Sequence, residues 1–354
     1  MQVKLEDVCD RGTSNLRQAD VEGKTGGYPI YGAAGYIGNV DFFHQEKAYV
    51  AVVKDGAGIG RTMLLPAKSS VIGTMQYLLP KDNVLPEYLC YVVKYIHLEK
   101  YFTGATIPHI YFRDYKNEKF NLDSLDRQIE IIKILGHVEK IIDKKKQELQ
   151  KLDTLIKARF VEMFGNPETN PKGWKQVTLG DVCSSIVRGP FGSALKKEYF
   201  VEPDATTYKV YEQKHAIQKT AKIGTYYITA EKYNELKRFK CVPGDILMSC
   251  SGTMGELYQL PEGCDRGIIN QALCKFTLNN KMLPICFLTY MRQTIKNLET
   301  KGSGIQNIAA VSYVKAMPIN LPPMIVQERF ATFVKQVDKS KFVKINLVIY
   351  ENTI

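Results

Sequence analysis

Residues 126–164 contain no proline and only one glycine, Gly136, and their apolar side chains recur with the spacing of a coiled-coil helix. In heptads that start at Gln128, eight of the eleven a and d positions are apolar, which is a narrower stripe than an ordinary surface helix presents. A helix of this length spans roughly 58 Å. It cannot bury such a seam against itself, so we expect a second long helix to pack against it.

The C-terminal part of the sequence supplies a candidate for that second helix. Pro322 and Pro323 precede another apolar-periodic run, and proline suits the first turn of a helix because its missing N–H would have no partner there. The side chains expected to pack between the two helices are Ile131, Leu135, Val138, Ile142, Leu149, Leu152, Ile156, Phe330, Val334 and Val337. The alternative is a pair of unrelated surface helices, and the matching residues before each helix argue against it.

Those matching residues form an internal duplication. The paired segments are residues 3–9 and 177–183, residues 51–60 and 246–255, and residues 104–110 and 302–308. Tyr115 then matches Tyr313, and Gln128 near the start of the first long helix matches Gln327 near the start of the second. A repeat of this length indicates duplicated domains rather than a solenoid.

The duplication divides the chain into two globular domains and two long helices. The predicted segments are a first domain at 1–122, a long helix at 123–164, a linker at 165–174, a second domain at 175–321 and a long helix at 322–354. Within each domain we expect a mixed sheet with short helices. The clearest predicted strands are 49–53 and 245–248, and the clearest predicted helices are 87–100 and 285–298.

Composition limits the classes of protein to which the chain can belong. The formal net charge is +11, and most of it lies outside the two helices, which suggests a polyanionic partner. No run of about 18 apolar residues is present and the N-terminus carries acidic residues, so we expect a cytoplasmic protein without a membrane span. The eight cysteines make no C-x-x-C pair and the five histidines show no metal-binding spacing, so we expect reduced, packed cysteines and no metal site.

Basic and aromatic side chains lie in glycine-rich segments outside the helices. Arginine and lysine bind phosphates, and both can also read base edges, as glutamine and asparagine do. The candidate DNA-binding residues are Tyr28, Tyr31, Tyr36, Lys54, Arg61, Arg188, Phe191, Lys196, Lys197, Lys301, Gln306 and Asn307. Each of them taken alone is better explained as solvated surface, so the prediction depends on the pair of domains and not on any single residue. The glycine-rich segment at 56–61 lacks the ending of a P-loop, so we interpret it as a tight turn between strands.

Two enzymatic alternatives have weaker support. Asp204, Glu212 and Lys214 fit the loose PD…ExK pattern of metal-dependent nucleases, but the pattern is short and the first domain has no counterpart. A DNA methyltransferase would carry an Asn/Asp-Pro-Pro-Tyr/Phe motif. The nearest match, at 320–324, has an intervening leucine and no aromatic residue, so we interpret it as a helix start.

In their order and their duplication, these features resemble the specificity subunit of type I restriction-modification systems over essentially the whole chain. The segments that carry the resemblance are 28–32, 53–58, 158–167 and 319–327. One departure is the segment 121–125, which lacks the prolines found in the second copy.

The resemblance implies an α+β fold in which two mixed α/β target-recognition domains are separated by a pair of long antiparallel coiled-coil helices, with a pseudo-twofold internal duplication. Each domain would read one half of a gapped, asymmetric sequence in double-stranded DNA. The helices would dock two modification (methyltransferase) subunits, and restriction subunits would complete the complex. The chain itself would have no catalytic residues and no cofactor, because S-adenosylmethionine, ATP and magnesium belong to the partner subunits. A spare recognition module that has lost its targets is an alternative that the sequence leaves open.

Overall fold

Short strands and helices alternate along both halves of the chain and are followed in each half by one long helix, so the fold is α+β. The computed structural model describes residues 1–56, 58–103, 108–300 and 311–351, with side chains for these residues other than 296–300 and 342–351. The chain divides into two units, Met1–Lys144 and Lys145–Ile354. The predicted domain bounds differ from this division and remain a prediction.

The first unit contains nine strands and most of its helices are short. Its strands are β1 Gln2–Lys4, β2 Cys9–Thr13, β3 Tyr28–Gly32, β4 Gly35–Val40, β5 Tyr49–Val53, β6 Thr62–Leu65, β7 Ser70–Val71, β8 Met75–Pro80 and β9 Lys119–Asn121, counted over its described residues. Its helices are α1 Leu5–Val8, α2 Gln18–Val21, α3 Pro86–Ile96, α4 Phe112–Tyr115 and the start of α5 Leu125–Phe164, with a 3₁₀ turn at Leu98–Tyr101.

Two sheets and a terminal strand pair organise this unit. An antiparallel sheet has the order β2-β8-β5-β6, and a second sheet has the order β4-β3-β7, in which β3 and β7 run parallel. Strands β1 and β9 pair next to the start of α5. One face of β5, with Val50 and Val52, lies in a core cluster with Leu89 and Val93 of α3, and the other face of β5 lies in a second cluster.

The second unit repeats this plan with additional elements. Its strands are β10 Lys175–Thr178, β11 Cys183–Arg188, β12 Tyr208–Tyr211, β13 Tyr227–Ile228, β14 Lys240–Cys241, β15 Ile246–Ser249, β16 Leu257–Gln259, β17 Gly267–Ile269, β18 Leu273–Leu278 and β19 Pro318–Leu321. Its helices are α6 Leu179–Val182, α7 Gln213–Gln218, α8 Ala230–Glu235, α9 Pro284–Thr300, α10 Val311–Ala316 and α11 Met324–Glu351, with 3₁₀ turns at Gly192–Ala194, Lys197–Tyr199 and Lys237–Phe239.

Apart from one added strand, β14, the sheets of the second unit have the same strand order as those of the first. One has the order β11-β18-β15-β16, which matches β2-β8-β5-β6 strand for strand, and β10 pairs with β19 as β1 does with β9. In the other sheet, with the order β13-β12-β17-β14, β12 and β17 run parallel as β3 and β7 do. The duplication predicted from the sequence is therefore a duplication of topology.

Strand pairing corrects one detail of the predicted repeat. Val50 pairs with Leu78 and Ile246 pairs with Phe276, so Ile246 corresponds to Val50 and not to Ala51. Because successive side chains of a strand point to opposite faces, an error of one residue would exchange the two faces of the strand. The β5–β6 turn is one residue longer than the β15–β16 turn. Aligning the glycines of the two turns therefore shifts the preceding strands by one residue.

The heptad pattern of α5 agrees with its burial. Every a and d position from Gln128 to Met163 is partly or fully buried, including the polar positions Lys145 and Arg159. Lys145 pairs with Glu148 at 3.5 Å and Arg159 pairs with Glu162 at 2.7 Å, so these two cations keep a partner at the seam. Ile131 packs against the core of the first unit, and Leu135, Val138, Ile142, Leu149 and Leu152 are partly buried.

In the second unit, the end of α5 packs antiparallel to α11. The ring of Phe330 lies 5.5 Å from that of Phe160 and 5.2 Å from that of Phe164, centroid to centroid. Nearer the start of α5 and further along α11, the Lys341 ammonium lies 2.7 Å from the Asp153 carboxylate. The contacts therefore advance in opposite directions along the two helices. Ile156 and Val334 lie in the same core cluster, and Val337 is also buried.

Both helices predicted within the two domains are present, with different bounds. The helix predicted at 87–100 ends at Ile96, because His97 takes a left-handed conformation with φ of 56° and a 3₁₀ turn follows. The helix predicted at 285–298 is α9. Within the described part of the chain, none of the helices combines the length and the apolar character that crossing a membrane requires.

Candidate nucleic-acid interface

The β3–β4 and β5–β6 turns of the first unit bring three of the candidate residues together. The Tyr31 and Tyr36 rings meet edge to face with centroids 6.1 Å apart, and Tyr36 is 61% exposed. Arg61, just beyond the β5–β6 turn, donates from Nη1 to the Ala33 carbonyl at 2.9 Å. Partial burial, with a smaller effect of Tyr36, raises the pKa of Tyr31, so its hydroxyl stays protonated near neutral pH.

Tyr28 lies elsewhere on the same hairpin. It pairs with Val40 at the open end of the strands, whereas Gly32 pairs with Gly35 at the turn. Its ring packs edge to face against Phe43 with centroids 4.8 Å apart. The structure therefore does not group Tyr28 with Tyr31 and Tyr36, although the three are close in sequence.

Lys54 begins the β5–β6 turn, where a loop that follows α3 is attached. The Asp55 carboxylate lies 2.5 Å from the Lys54 ammonium and 2.7 Å from Nδ1 of His109. Gly56 N–H donates to the Pro108 carbonyl at 3.0 Å, and Ile110 N–H donates to the Lys54 carbonyl at 2.9 Å. Partial burial opposes ionisation of Asp55, but the hydrogen bonds from Lys54 and His109 outweigh it and lower the pKa of Asp55.

The attached loop continues into an exposed stack of side chains. The His109 and Tyr111 rings are nearly parallel at 20° with centroids 6.3 Å apart, and the Arg113 guanidinium lies 4.8 Å from the Tyr111 ring centroid. Sequence reasoning missed Asp55, His109, Tyr111 and Arg113 as candidates. Two of these residues could have been identified from the sequence, because His109 belongs to a duplicated segment and Asp55 belongs to the glycine-rich turn.

In the second unit, a rigid turn presents Phe191 to solvent. Gly189 cannot be replaced without movement, because a Cβ atom there would lie 1.8 Å from the Asn270 carbonyl oxygen. The next residue, Pro190, is buried, and Phe191 is then 89% exposed. Arg188, before this turn, directs its Nε toward the Gln271 carbonyl at 3.5 Å. Arg188 and Phe191 are thus displayed by one anchored loop.

Two candidate lysines follow the same loop. Leu195 is buried in a core cluster, and Lys196 and Lys197 after it are exposed. Lys196 lies 3.5 Å from the Glu198 carboxylate. The remaining candidates of this unit, Lys301, Gln306 and Asn307, lie outside the described residues.

The β15–β16 turn corresponds to the β5–β6 turn but is held by a different element. Gln213, the first residue of α7, donates from Nε2 to the carbonyls of Ser251 and Thr253. Lys219, just after α7, pairs with Glu256 at 2.5 Å. Among the described residues, His109 thus holds the β5–β6 turn and α7 holds the β15–β16 turn, and the segment that corresponds to His109 in the second unit, 302–308, lies outside them.

The residues of the nuclease alternative have local structural contacts. The Asp204 carboxylate accepts hydrogen bonds from the backbone N–H and the hydroxyl of Thr206, both at 2.7 Å, and these bonds lower the pKa of Asp204. Glu212 pairs with Lys214 at 2.7 Å at the start of α7. In the described ranges, no cluster of three or more His, Cys, Asp or Glu side chains has the proximity needed to hold a metal ion.

A family model and a protein of known class match this sequence. The model of the type I restriction modification DNA specificity domain matches residues 1–154 and 171–347. The MjaIX type I restriction enzyme specificity subunit of Methanocaldococcus jannaschii is 29% identical over 124 residues, which is 30% of this chain and 29% of that protein. The match thus spans less than a third of that relative's length.

Two solved structures resemble the fold over almost the whole chain. The type I restriction-modification S subunit from M. genitalium aligns with a TM-score of 0.54 at 15% identity, over 100% of this chain and 93% of that one. A chain from a study of complex assembly and conformational transition of the type I restriction-modification system aligns with a TM-score of 0.55 at 15% identity, over 99% and 94% of the two chains. At this identity the likeness shows the fold alone.

The family model covers both duplicated units, and these matches give no support to the nuclease alternative. The repeated sheet order, the two long helices and the family match lead to one assignment. The chain belongs to the family of type I restriction-modification DNA specificity proteins.

Proposed function

We propose that this chain is the sequence-specific DNA-binding subunit of a type I restriction-modification complex. Each globular unit reads one half of a gapped, asymmetric target in double-stranded DNA. The observation that carries the proposal is a repeated scaffold with unlike surfaces. Both units share the sheet order of β2-β8-β5-β6, but the turn after β5 is fastened by His109 and the turn after β15 by Gln213.

Recognition of an asymmetric DNA target requires two different binding surfaces, and here these lie on two copies of the same scaffold. Identical protomers impose palindromic half-sites, because both copies read the same bases. Here a β3–β4 hairpin lies beside the turn in the first unit, whereas α7, α8 and one additional strand, β14, are present in the second. Two different readers in one chain give two different half-sites, and both stay in a fixed order along the DNA.

Exposed side chains in both units have the chemistry that DNA binding uses. Arginine and lysine neutralise phosphates, and aromatic rings stack on bases or contact the thymine methyl group. Arg61 and Tyr36 supply these groups in the first unit, and Lys197 and Phe191 supply them in the second. The net charge of +11 favours association with a polyanion.

The long helices are proposed to dock two modification subunits, and restriction subunits join that complex. The chain supplies no catalytic group in this proposal. S-adenosylmethionine is bound by the modification subunits, and ATP and magnesium act in the restriction subunits. The complex works on DNA in the cytoplasm.

Selection from a randomised duplex library tests the proposal. The full chain, alone and with its modification subunit, is incubated with the library, and bound duplexes are sequenced. We expect two short defined blocks of different sequence, separated by a constant number of undefined positions, with stronger enrichment in the complex. A palindromic or uninterrupted motif would contradict the two-reader proposal. Enrichment of no sequence in either sample would favour the spare-module alternative.

Single substitutions then assign each block to a unit. Arg61→Gln should relax selection in one block and leave the other block unchanged, because Arg61 lies in the first unit only. Arg17→Gln is a matched control, because Arg17 is an exposed arginine of the same unit that precedes α2 and pairs with Asp20 at 3.0 Å. Loss of selection in both blocks from Arg61→Gln would contradict independent reading.

A further inference from the structure

A fully buried glutamine begins each long helix, and the two make the same hydrogen bonds. The Gln128 side chain accepts through Oε1 from Leu85 N–H at 2.8 Å. Its Nε2 donates to the carbonyl oxygens of Asn83 at 3.0 Å and Asp123 at 2.9 Å. All three partners are backbone atoms, and Gln128 has no exposed surface.

Gln327 repeats this arrangement in the second unit. Its Oε1 accepts from Leu283 N–H at 2.9 Å, and its Nε2 donates to the carbonyl oxygens of Lys281 and Pro322, both at 3.0 Å. Gln327 is also fully buried. We call each set of three hydrogen bonds a glutamine bridge.

Each glutamine bridge joins the start of a long helix to the start of an earlier helix of the same unit, α5 to α3 in the first unit and α11 to α9 in the second. Leu85 precedes the first residue of α3, and Gln128 lies in the first turn of α5, where its own N–H donates to the Ser124 carbonyl at 2.8 Å. In the second unit, Leu283 precedes α9 and Gln327 lies in the first turn of α11. One planar side chain thus sets both the distance and the direction between two helix starts.

Core packing alone does not account for this residue. A buried amide has a desolvation cost that an apolar side chain of similar volume does not have. Buried polar groups are best attested as devices that select one geometry among several. The two units have diverged in their inserted elements, yet both keep a glutamine with the same three backbone partners. A geometric role explains that retention.

Resting on the proposed function, we propose that Gln128 and Gln327 are positioning residues that set the gap between the two DNA half-sites. With 40 and 28 residues, α5 and α11 are about 60 Å and about 42 Å long, so a tilt of about 5° at the start moves the far end by about 5 Å in α5 and about 4 Å in α11. One base-pair step is about 3.4 Å along the duplex. A small loss of angular restraint at a glutamine bridge is therefore comparable to one base pair of gap.

This role is tested by measuring how strongly the complex prefers one gap length between the two half-sites. Gln128→Met and Gln327→Met keep the length of the side chain and remove all three hydrogen bonds. The full chain with its modification subunit is titrated against duplexes that carry both selected blocks at gaps from two base pairs shorter to two longer. We expect the ratio of affinities between the best gap and its neighbours to fall about threefold to tenfold, the equivalent of about one hydrogen bond. Base selection within each block should not change.

Tyr115→Phe is the matched control. Tyr115 is fully buried in the first unit and its hydroxyl donates to Gln76 Oε1 at 3.0 Å, so the variant loses a buried hydrogen bond between α4 and β8 that involves neither long helix. It should lower the melting temperature and keep the wild-type gap ratio. Gln128→Leu also removes all three hydrogen bonds and places a smaller apolar side chain in the site, so its gap ratio should match that of Gln128→Met. This variant keeps the test available should the methionine variant fold poorly.

The outcomes separate the inference from the function on which it rests. If the bridge variants are less stable but keep the wild-type gap ratio, the glutamines have only a structural role and the inference is refuted. If the wild-type complex binds all gap lengths equally, the proposed function itself fails. If the wild type binds a narrower range of gap lengths than the bridge variants do, the result supports both the inference and the proposed function.

Discussion

The aromatic contact between α5 and α11 allows a quantitative prediction. Phe160 is fully buried, and its ring lies 4.4 Å from that of Phe164 and 5.5 Å from that of Phe330. Truncating a buried phenylalanine to alanine removes its transfer free energy and leaves a cavity, at a cost of about 3–5 kcal/mol. We expect Phe160→Ala to lower the free energy of unfolding of the second unit by about 4 kcal/mol, because two rings on different helices line the cavity and limit its collapse.

The chain contains its own probe for this measurement. Trp174 is the only tryptophan, and its Nε1 donates to the Phe164 carbonyl at 2.9 Å, at the end of α5. Urea unfolding followed by tryptophan fluorescence gives the midpoint and the slope, and a lower midpoint at constant slope reports lost stability. Val161→Ala, one position further along α5, is the control. Val161 is 45% exposed, so its change should stay within about 0.5 kcal/mol.

A loss of less than about 1 kcal/mol in Phe160→Ala, below the usual range for a core aromatic residue, would refute this reasoning. It would mean that the ring does not hold the two helices together in the way the distances indicate. Equal losses in Phe160→Ala and Val161→Ala would refute it as well, since burial would then not determine the cost.

Three further outcomes are expected. Burial lowers the pKa of His215, so the unfolded chain binds more protons than the folded chain below a pH of about 6.5. Stability should therefore fall as the pH falls through that value. Urea midpoints measured across this range should depend less on pH in His215→Gln than in the wild type. Gly189→Ala should destabilise the second unit by about 1–3 kcal/mol, through forced movement of the Asn270 backbone, whereas Gly192→Ala, with nothing within 4 Å of its Cβ position, should be near neutral in thermal melts. Lys197→Ala should weaken DNA binding similarly for all sequences and reduce the slope of log K against log salt by about 0.9, as measured by titration at several salt concentrations.

Features that depend on local spacing were predictable from the sequence. The heptads of α5 specify both its helical state and its buried side, because the residues that form the seam recur every three or four positions. The hairpin of β5 and β6 follows from an apolar run that ends in glycines, and the described residues of the segment 56–61, namely Gly56 and 58–61, lie in a turn as predicted. The duplication was also visible, since both copies keep the segments that begin and end each unit.

Contacts between distant segments were decided by the tertiary structure. Asp55 and His109 are 54 positions apart, and Gln213 reaches the β15–β16 turn from an inserted helix. Tyr28 and Tyr31 are neighbours in sequence, but strand pairing places them at opposite ends of one hairpin.

By itself, the sequence determined that this chain has two related units and two long helices, because periodicity and repetition are properties of the chain order. The tertiary structure decided which side chains meet, as the three backbone partners of Gln128 illustrate. A hydrogen bond depends on distances of a few ångströms between atoms that the chain order leaves far apart, and only packing brings those atoms together.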